Sequence, residues 1–249
     1  VVAPSVGGGF GAKLNINPDE RLAATLATRL GRPVRWTESR SEGAFSTHQG
    51  RGQRQQIELA ADADGKLLGV RVHIDADMGA YMMLITPGVP LLGSFLYTGV
   101  YDVPAFGFTC DGWFTNCTPT DAYRGAGRPE ASYAIERSMD LLAGEVGVGP
   151  DEIRRRNYLA GGEEFENLEV ASTLVFDSGN YAPNLDAALE MADYEGLRAE
   201  QQRRRDAGDP KQLGIGLCTY VEICGLAPSR ELGGHNYGAG GWEHATVRF

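Results

Sequence analysis

The residues with chemical potential in this chain fall in two glycine-broken stretches. The first reads VGGGFGAK and holds Gly7, Gly8, Gly9, Phe10 and Gly11 in succession. Consecutive glycines let a backbone approach a bulky group closely and offer N–H donors that no side chain obstructs. A cofactor carrying oxo groups would suit such a surface; a tight turn that needs positive φ angles is the other use. The second stretch reads DAYRGAGRPE, Asp121 to Glu130, and sets Arg124 and Arg128 near Tyr123 between a strand and a helix. Loops in that position collect functional groups. Arg124 is the candidate catalytic residue, because a permanently charged planar fork can stabilise a developing oxyanion. Its alternative is a structural ion pair with Asp121 or Glu130.

Gly7, Gly9 and Ala12 also satisfy the G-x-G-x-x-G/A pattern of a dinucleotide site, with Glu38 as the acid beyond it. That site requires a helix to begin at the glycines, since its N–H groups and positive dipole end meet the pyrophosphate. Here the helix signals start only at Asn17 and Pro18, after Lys13, Leu14, Asn15 and Ile16. The dipole would then point away from anything held at Gly7–Gly11. A phosphate loop fails as well: Ala12 precedes Lys13 where glycine is required, and Leu14 follows where Ser or Thr is.

The elements that must position these stretches read as α+β, with mixed sheets, hairpins and packed helices. Asn17 caps a helix whose stripe is Leu22, Leu26 and Leu30 and which Gly31 ends; Val34–Thr37 reads as a short strand. A polar stretch follows, ESRSEGAFSTHQGRGQRQ. Gln56–Ala61 and Lys66–Asp77 alternate around an Asp64–Gly65 turn, with Leu68, Val70, Val72 and Ile74 on one face. A Gly/Pro-punctuated loop runs through Tyr101, and Phe106–Asn116 returns to strand character. Pro129 and Glu130 open a helix that buries Ile135, Met139 and Leu142. A shorter helix from Gly149 and Pro150 carries Arg154, Arg155 and Arg156, read as a solvated face. Polar Gly161–Glu164 is the candidate domain boundary. Beyond it come a helix with Leu185, Ala188, Leu189 and Ala192, the charged surface segment QQRRRDAGDPK, and a strand at GIGLCTYVEI. VVAPSV and HATVRF read as strands at the two ends, as if an internal piece of a longer polypeptide had been cut there.

The composition sets the outer bounds. The 249 residues are 42% hydrophobic and 22% charged, which is ordinary for a globular protein. A formal charge of -10 argues against a nucleic-acid or anionic membrane surface, where Lys and Arg must cluster. Cys110, Cys117, Cys218 and Cys224 have no spacing that suits zinc or an iron–sulfur cluster, so no metal ligands are assigned and reduced thiols of a cytoplasmic protein are expected. No apolar run reaches the roughly 18 to 20 residues of a membrane span.

In combination the motifs carry a resemblance. GGGFGAK, then WTESRSE, HQGRGQ, DAYRGAGRPEASYAIER and RRRNY, in this order, resemble the large molybdopterin-binding subunit of the molybdenum hydroxylases. This is the xanthine dehydrogenase, aldehyde oxidase and carbon monoxide dehydrogenase family, and the AYRGAGR form is similar to its carbon monoxide dehydrogenase-like branch. The resemblance implies a first molybdopterin-binding domain over residues 1–162 and the beginning of a second over 163–249. It implies a molybdenum-bearing molybdopterin, in a cytosine dinucleotide form, held by Gly7, Gly8, Gly9, Phe10, Gly11, Ala122, Tyr123 and Gly125, with Arg124 near the reacting carbon. Leu14 and Ala126 would line the substrate pocket. Purine-oxidising relatives carry glutamate at the position of Leu14, so an aldehyde or an N-heteroaromatic is the expected small-molecule substrate. Relatives that oxidise carbon monoxide carry a copper-binding cysteine where Gly125 stands, which argues against that reaction. Iron–sulfur clusters and FAD would sit on partner subunits, in a dimer of heterotrimers. The family's catalytic glutamate has no match here, and Glu222 and Glu243 lack its context. The rival readings are a cofactor-free homologue and an NAD-dependent dehydrogenase built on GGGFGA.

Overall fold

The computed structural model of the chain describes residues 5–160, 168–172, 174–176, 179–223 and 246–247. Helix α1 (Pro18–Leu30) begins where the cap and proline place it, with Glu20 closing a capping box on Asn17 and Gly31 ending it at φ 62°. None of its residues is buried: Leu22 and Leu30 are more than half exposed. Val34–Thr37 makes no strand, and the polar stretch after it contains a helix, α2 (Arg40–Ser46), nucleated by a Ser39–Glu42 capping box. Residues 34–37 pair with no strand among the described residues, and the cap chemistry at Ser39 sets the helix that follows.

β1 (Gln53–Ala61) and β2 (Leu67–Gly79) form the expected antiparallel hairpin. Asp62 Oδ1 accepts the N–H groups of Asp64 and Lys66 at 3.0 and 2.9 Å, and Gly65 takes φ 81° to close the turn. Val70, Val72 and Ile74 are buried as predicted, but Leu67 replaces Leu68 on the inner face. A register shift between Ala60 and Ala61 rephases the strand, and one residue of slip exchanges the faces. The loop region that follows holds a short helix, α3 (Gly88–Ser94), which helps β3 (Phe106–Phe114) cross over to pair with β2 in parallel. The sheet order is β1-β2-β3.

Against this sheet lies α4 (Arg128–Val146), whose Ala131, Ile135, Met139 and Ala143 are buried with Val72, Ile74 and Tyr101. α5 (Pro150–Asn157) packs on α4. Its Arg154 was expected on a solvated face but is fully buried. The guanidinium reaches Glu136 and Asp140 at 3.0 Å each and also the carbonyls of Pro150 and Leu217, so its charge and donors are met inside the protein.

A two-residue ladder, β4 (Leu168–Glu169) with β5 (Val175–Phe176), precedes α6 (Tyr181–Met191) and α7 (Tyr194–Asp206). Most of the charged segment near Gln201 is therefore helix. Glu200 holds two of its arginines, Arg203 and Arg204, at 2.6 and 2.7 Å. GIGLCTYVEI, residues 214–223, forms no strand ladder among the described residues; Arg154 and Glu136 tie it down through the Leu217 carbonyl and the Thr219 N–H. The Gly161–Glu164 boundary and nearly all of both terminal strands fall outside the described residues, and Ser5 and Val6 form no strand.

Candidate functional site

The two glycine-broken stretches meet. The Arg124 N–H donates to the Phe10 carbonyl at 2.9 Å. A Cβ on Gly11 would lie 2.1 Å from the Ala122 carbonyl oxygen, and Gly11 holds φ 85°. Space and backbone angle both demand glycine there. Asn15 Nδ2 adds a second tie, donating to Asp121 Oδ2 at 2.8 Å.

The first loop turns in left-handed steps, with Gly8 at φ 98° and Phe10 at 54°. The Phe10 ring folds back over Gly8, and the Lys13 ammonium donates to the Gly8 carbonyl. Gly7 and Gly9 face open space: no atom lies within 4 Å of where a side chain would begin. Among the described residues, the N–H groups of Gly9, Phe10 and Gly11 make no hydrogen bond. Turned, unobstructed donors of this kind form a concavity for anions or oxygen-rich groups. Because α1 starts at Pro18, it does not begin at these glycines, which removes the geometric basis of the dinucleotide reading.

The second loop is strained as well. Arg124 (φ 31°) and Ala126 (φ 47°) are left-handed without being glycine, and Gly125 and Gly127 stand at 108° and 92°. Such conformations persist only where the surroundings over-determine them, and they cluster at functional sites. Gly127 fits because its missing side chain leaves room for the Val89 carbonyl, 1.9 Å from a virtual Cβ.

The ion pairs expected for Arg124 do not form. Asp121 is fully buried and occupied by Asn15 and by the N–H groups of Ile85 and Ala122, while Glu130 pairs with Arg51 at 3.4 Å. The Arg124 guanidinium is exposed and has no partner among the described residues, so it is available to a ligand. Arg128 is structural instead, bonded to the Gly125 and Ile223 carbonyls at 2.7 and 3.0 Å and paired with Glu222. Of the substrate-side residues, Leu14 is half-exposed and donates its N–H to the Gly11 carbonyl at 3.0 Å. Ala126 is buried beneath the loop. Tyr123 is exposed, with the Arg51 guanidinium 6.0 Å from its ring centre.

Sequence reasoning missed His48 and Arg51. Both lie in HQGRGQ, where polar residues are spaced by Gly50 and Gly52, and that spacing was the available signal. His48 is buried and its Nε2 lies 2.8 Å from the Ala122 carbonyl. A carbonyl only accepts, so the ring carries its proton on Nε2. Arg51 Nη1 and Nη2 donate to the Tyr123 and Arg124 carbonyls at 2.9 and 2.6 Å.

Other features lie elsewhere. His73, Asp75 and Asp111 gather on the outer face of β2 and β3, where Thr109 and Trp113 already bond His73 and Asp75 at 2.9 Å. A recess of about 470 Å³ lies between α6, α7 and residues 215–220 and is lined by neither loop. No helix among the described residues is long and apolar enough to cross a membrane.

Residues 1–158 match the molybdopterin cofactor-binding domain family. The chain is 39% identical to the carbon monoxide dehydrogenase large chain of Hydrogenophaga pseudoflava, over 92% of this chain and 29% of that one. It is 36% identical to the nicotine 6-hydroxylase large subunit of Paenarthrobacter nicotinovorans, over 90% of this chain and 27% of that one. The crystal structure of quinoline 2-oxidoreductase from Pseudomonas putida 86 superposes with a TM-score of 0.81 at 34% identity, covering 92% of this chain and 29% of that one. The chain thus spans less than a third of the length of these relatives.

Proposed function

The chain belongs to the molybdopterin cofactor-binding domain family and is part of a molybdenum hydroxylase large subunit, and from that premise we propose that its two glycine loops are two walls of one molybdenum–pterin site. The observation that carries this reading is the bond from the Arg124 N–H to the Phe10 carbonyl, which joins motifs far apart in sequence. The open space at Gly7 and Gly9 and the free N–H groups beside them fit an oxygen-rich cofactor.

When bound, such a cofactor supplies two-electron redox chemistry and the transfer of oxygen from water to carbon. The residues of this chain shape its surroundings. Gly7 and Gly9 admit it against bare backbone, Gly8 makes the turn between them under the Phe10 ring, and Phe10 and Gly11 set the wall beside it. Ala122, Tyr123 and Gly125 hold the facing loop. Arg124 stabilises negative charge as it grows on the substrate; one well-placed donor of this kind is worth about 2.7–4 kcal/mol. Leu14 and Ala126 bound the substrate side.

The substrate class in this reading is an electron-poor C–H carbon of an N-heteroaromatic or an aldehyde. The names of the nicotine 6-hydroxylase and quinoline 2-oxidoreductase relatives support the heteroaromatic. Copper-assisted oxidation of carbon monoxide is the second reading, favoured by the carbon monoxide dehydrogenase relative. The local geometry weighs against it: a Cβ at Gly125 would lie 2.4 Å from the Pro129 ring, so a cysteine there needs the loop to move. The reading includes a cytosine dinucleotide form of the pterin, iron–sulfur and FAD subunits as partners in a dimer of heterotrimers, a second domain beginning near residue 163, and a cytoplasmic location.

The test is to purify the complete subunit with its partners, measure molybdenum and pterin, and assay quinoline, nicotine, an aldehyde and carbon monoxide with a dye acceptor. Stoichiometric molybdenum and ¹⁸O incorporation from water into a heteroaromatic or aldehyde are expected. Absence of molybdenum would overturn the reading in favour of a cofactor-free homologue, and turnover of carbon monoxide alone would establish the second reading.

A further inference from the structure

HQGRGQ is a motif to which the proposed function gives no task. Its side chains take three successive carbonyls of the loop opposite. His48 holds Ala122, and the two terminal nitrogens of Arg51 hold Tyr123 and Arg124. The backbone secures the same junction: the Gln49 N–H donates to the Pro119 carbonyl at 2.9 Å, and the Asp121 N–H donates back to Gln49 at 3.1 Å. Gly50 lets the segment come close, since a Cβ there would stand 3.2 Å from the Tyr123 Cβ. Arg51 is itself anchored by Glu130, which is 8% exposed at the start of α4.

We propose that His48 and Arg51 are positioning residues that clamp the carbonyls of Ala122, Tyr123 and Arg124 and so fix where the Arg124 guanidinium stands. This rests on the role given to Arg124 above. The loop is held from two sides, its carbonyls by residues 48–51 and its Arg124 N–H by Phe10, so Arg124 cannot shift without breaking bonds on both. The clamp also keeps three carbonyl dipoles engaged by donors. Left free to turn towards the substrate, their negative ends would oppose the charge that Arg124 serves. Arg51 meets the two carbonyls with two nitrogens of one rigid plane, a geometry that the single rotatable ammonium of lysine does not hold.

The test uses the complete subunit with its partners and the variants Arg51→Lys, His48→Leu, His48→Gln, Arg124→Ala and the Arg51→Lys/Arg124→Ala double. Arg51→Lys is expected to lower kcat by about 10- to 100-fold, the scale set by misplacing a catalytic group by up to an ångström. KM, molybdenum content and melting temperature should stay near wild type. Amide exchange of the peptide covering 122–125 should quicken, and His48→Leu should act in the same direction while His48→Gln, which keeps a donor, recovers. In the Arg124→Ala background Arg51→Lys should cost nothing further, because it acts through the missing group. Additive losses in the double variant, or unchanged exchange at 122–125, would overturn the clamp. If Arg124→Ala alone turns over at the wild-type rate, the role of Arg124 falls instead, and the exchange measurement by itself decides whether the clamp exists.

Discussion

Arg124 and Phe10 are joined through their backbones, the N–H of the one donating to the carbonyl of the other at 2.9 Å, while the Arg124 guanidinium stays exposed and without a partner among the described residues. The backbone bond fixes the base of the side chain and leaves its charge free to act on a ligand. That combination separates Arg124 from the structural Arg154 and Arg128, whose forks are satisfied within the protein.

Arg124→Ala in the complete subunit should therefore leave folding and molybdenum content near normal and lower turnover by about 10²- to 10³-fold, the usual loss for one donor to a developing anion. Steady-state kinetics beside metal analysis checks this. Turnover close to wild type would remove Arg124 from the mechanism.

The glycines of the first loop should divide into two kinds. Gly9 faces open space, so Gly9→Val should fold normally and lose molybdenum by filling the volume a cofactor needs. Gly11 is bounded by the Ala122 carbonyl and held at φ 85°, so Gly11→Ala should separate the two loops and lower the melting temperature as well. Normal molybdenum in Gly9→Val would mean that the loop is only a turn.

Arg154→Met should destabilise the protein by about 3–5 kcal/mol, because Glu136 would remain as a buried charge without its partner. Burial pushes the neighbouring Tyr101 hydroxyl well above the ordinary tyrosine range, and the Glu136 charge raises it further, so Tyr101 stays a neutral donor to Glu136. Urea denaturation measures the loss, and a change under 1 kcal/mol would show that the network is not held by this pair.

Glu200 supplies a pH-dependent contact on α7. Hydrogen bonds from Arg203 and Arg204 draw its carboxyl down from 4.5 to about 2. A folded value below the unfolded one favours the folded state above pH 4.5, and that contribution disappears as the pH falls through 2. The group is on the surface, so the effect is small and screened by salt. An NMR titration of the Glu200 side chain should give a midpoint far below that in a peptide; an ordinary midpoint would show that the arginines do not hold it.

The sequence by itself determined the α+β class, the start of α1 at Pro18, the β1–β2 hairpin and the two loops, because caps, turn residues and hydrophobic period act over a few neighbours. It also carried the late helix start that excludes a dinucleotide grip on Gly7–Gly11. Short-range signals misplaced Leu68, where a bulge rephased the strand, and Val34–Thr37, which no strand among the described residues pairs with. Only the tertiary structure decided that Arg154 is buried and Arg124 is not, since both sit in arginine-bearing stretches and differ in which carboxylates the fold brings to them. The same holds for His48 and Arg51, whose task depends on three carbonyls distant in the chain. Burial and long-range hydrogen bonding are properties of what lies across the fold, and a local pattern does not contain them.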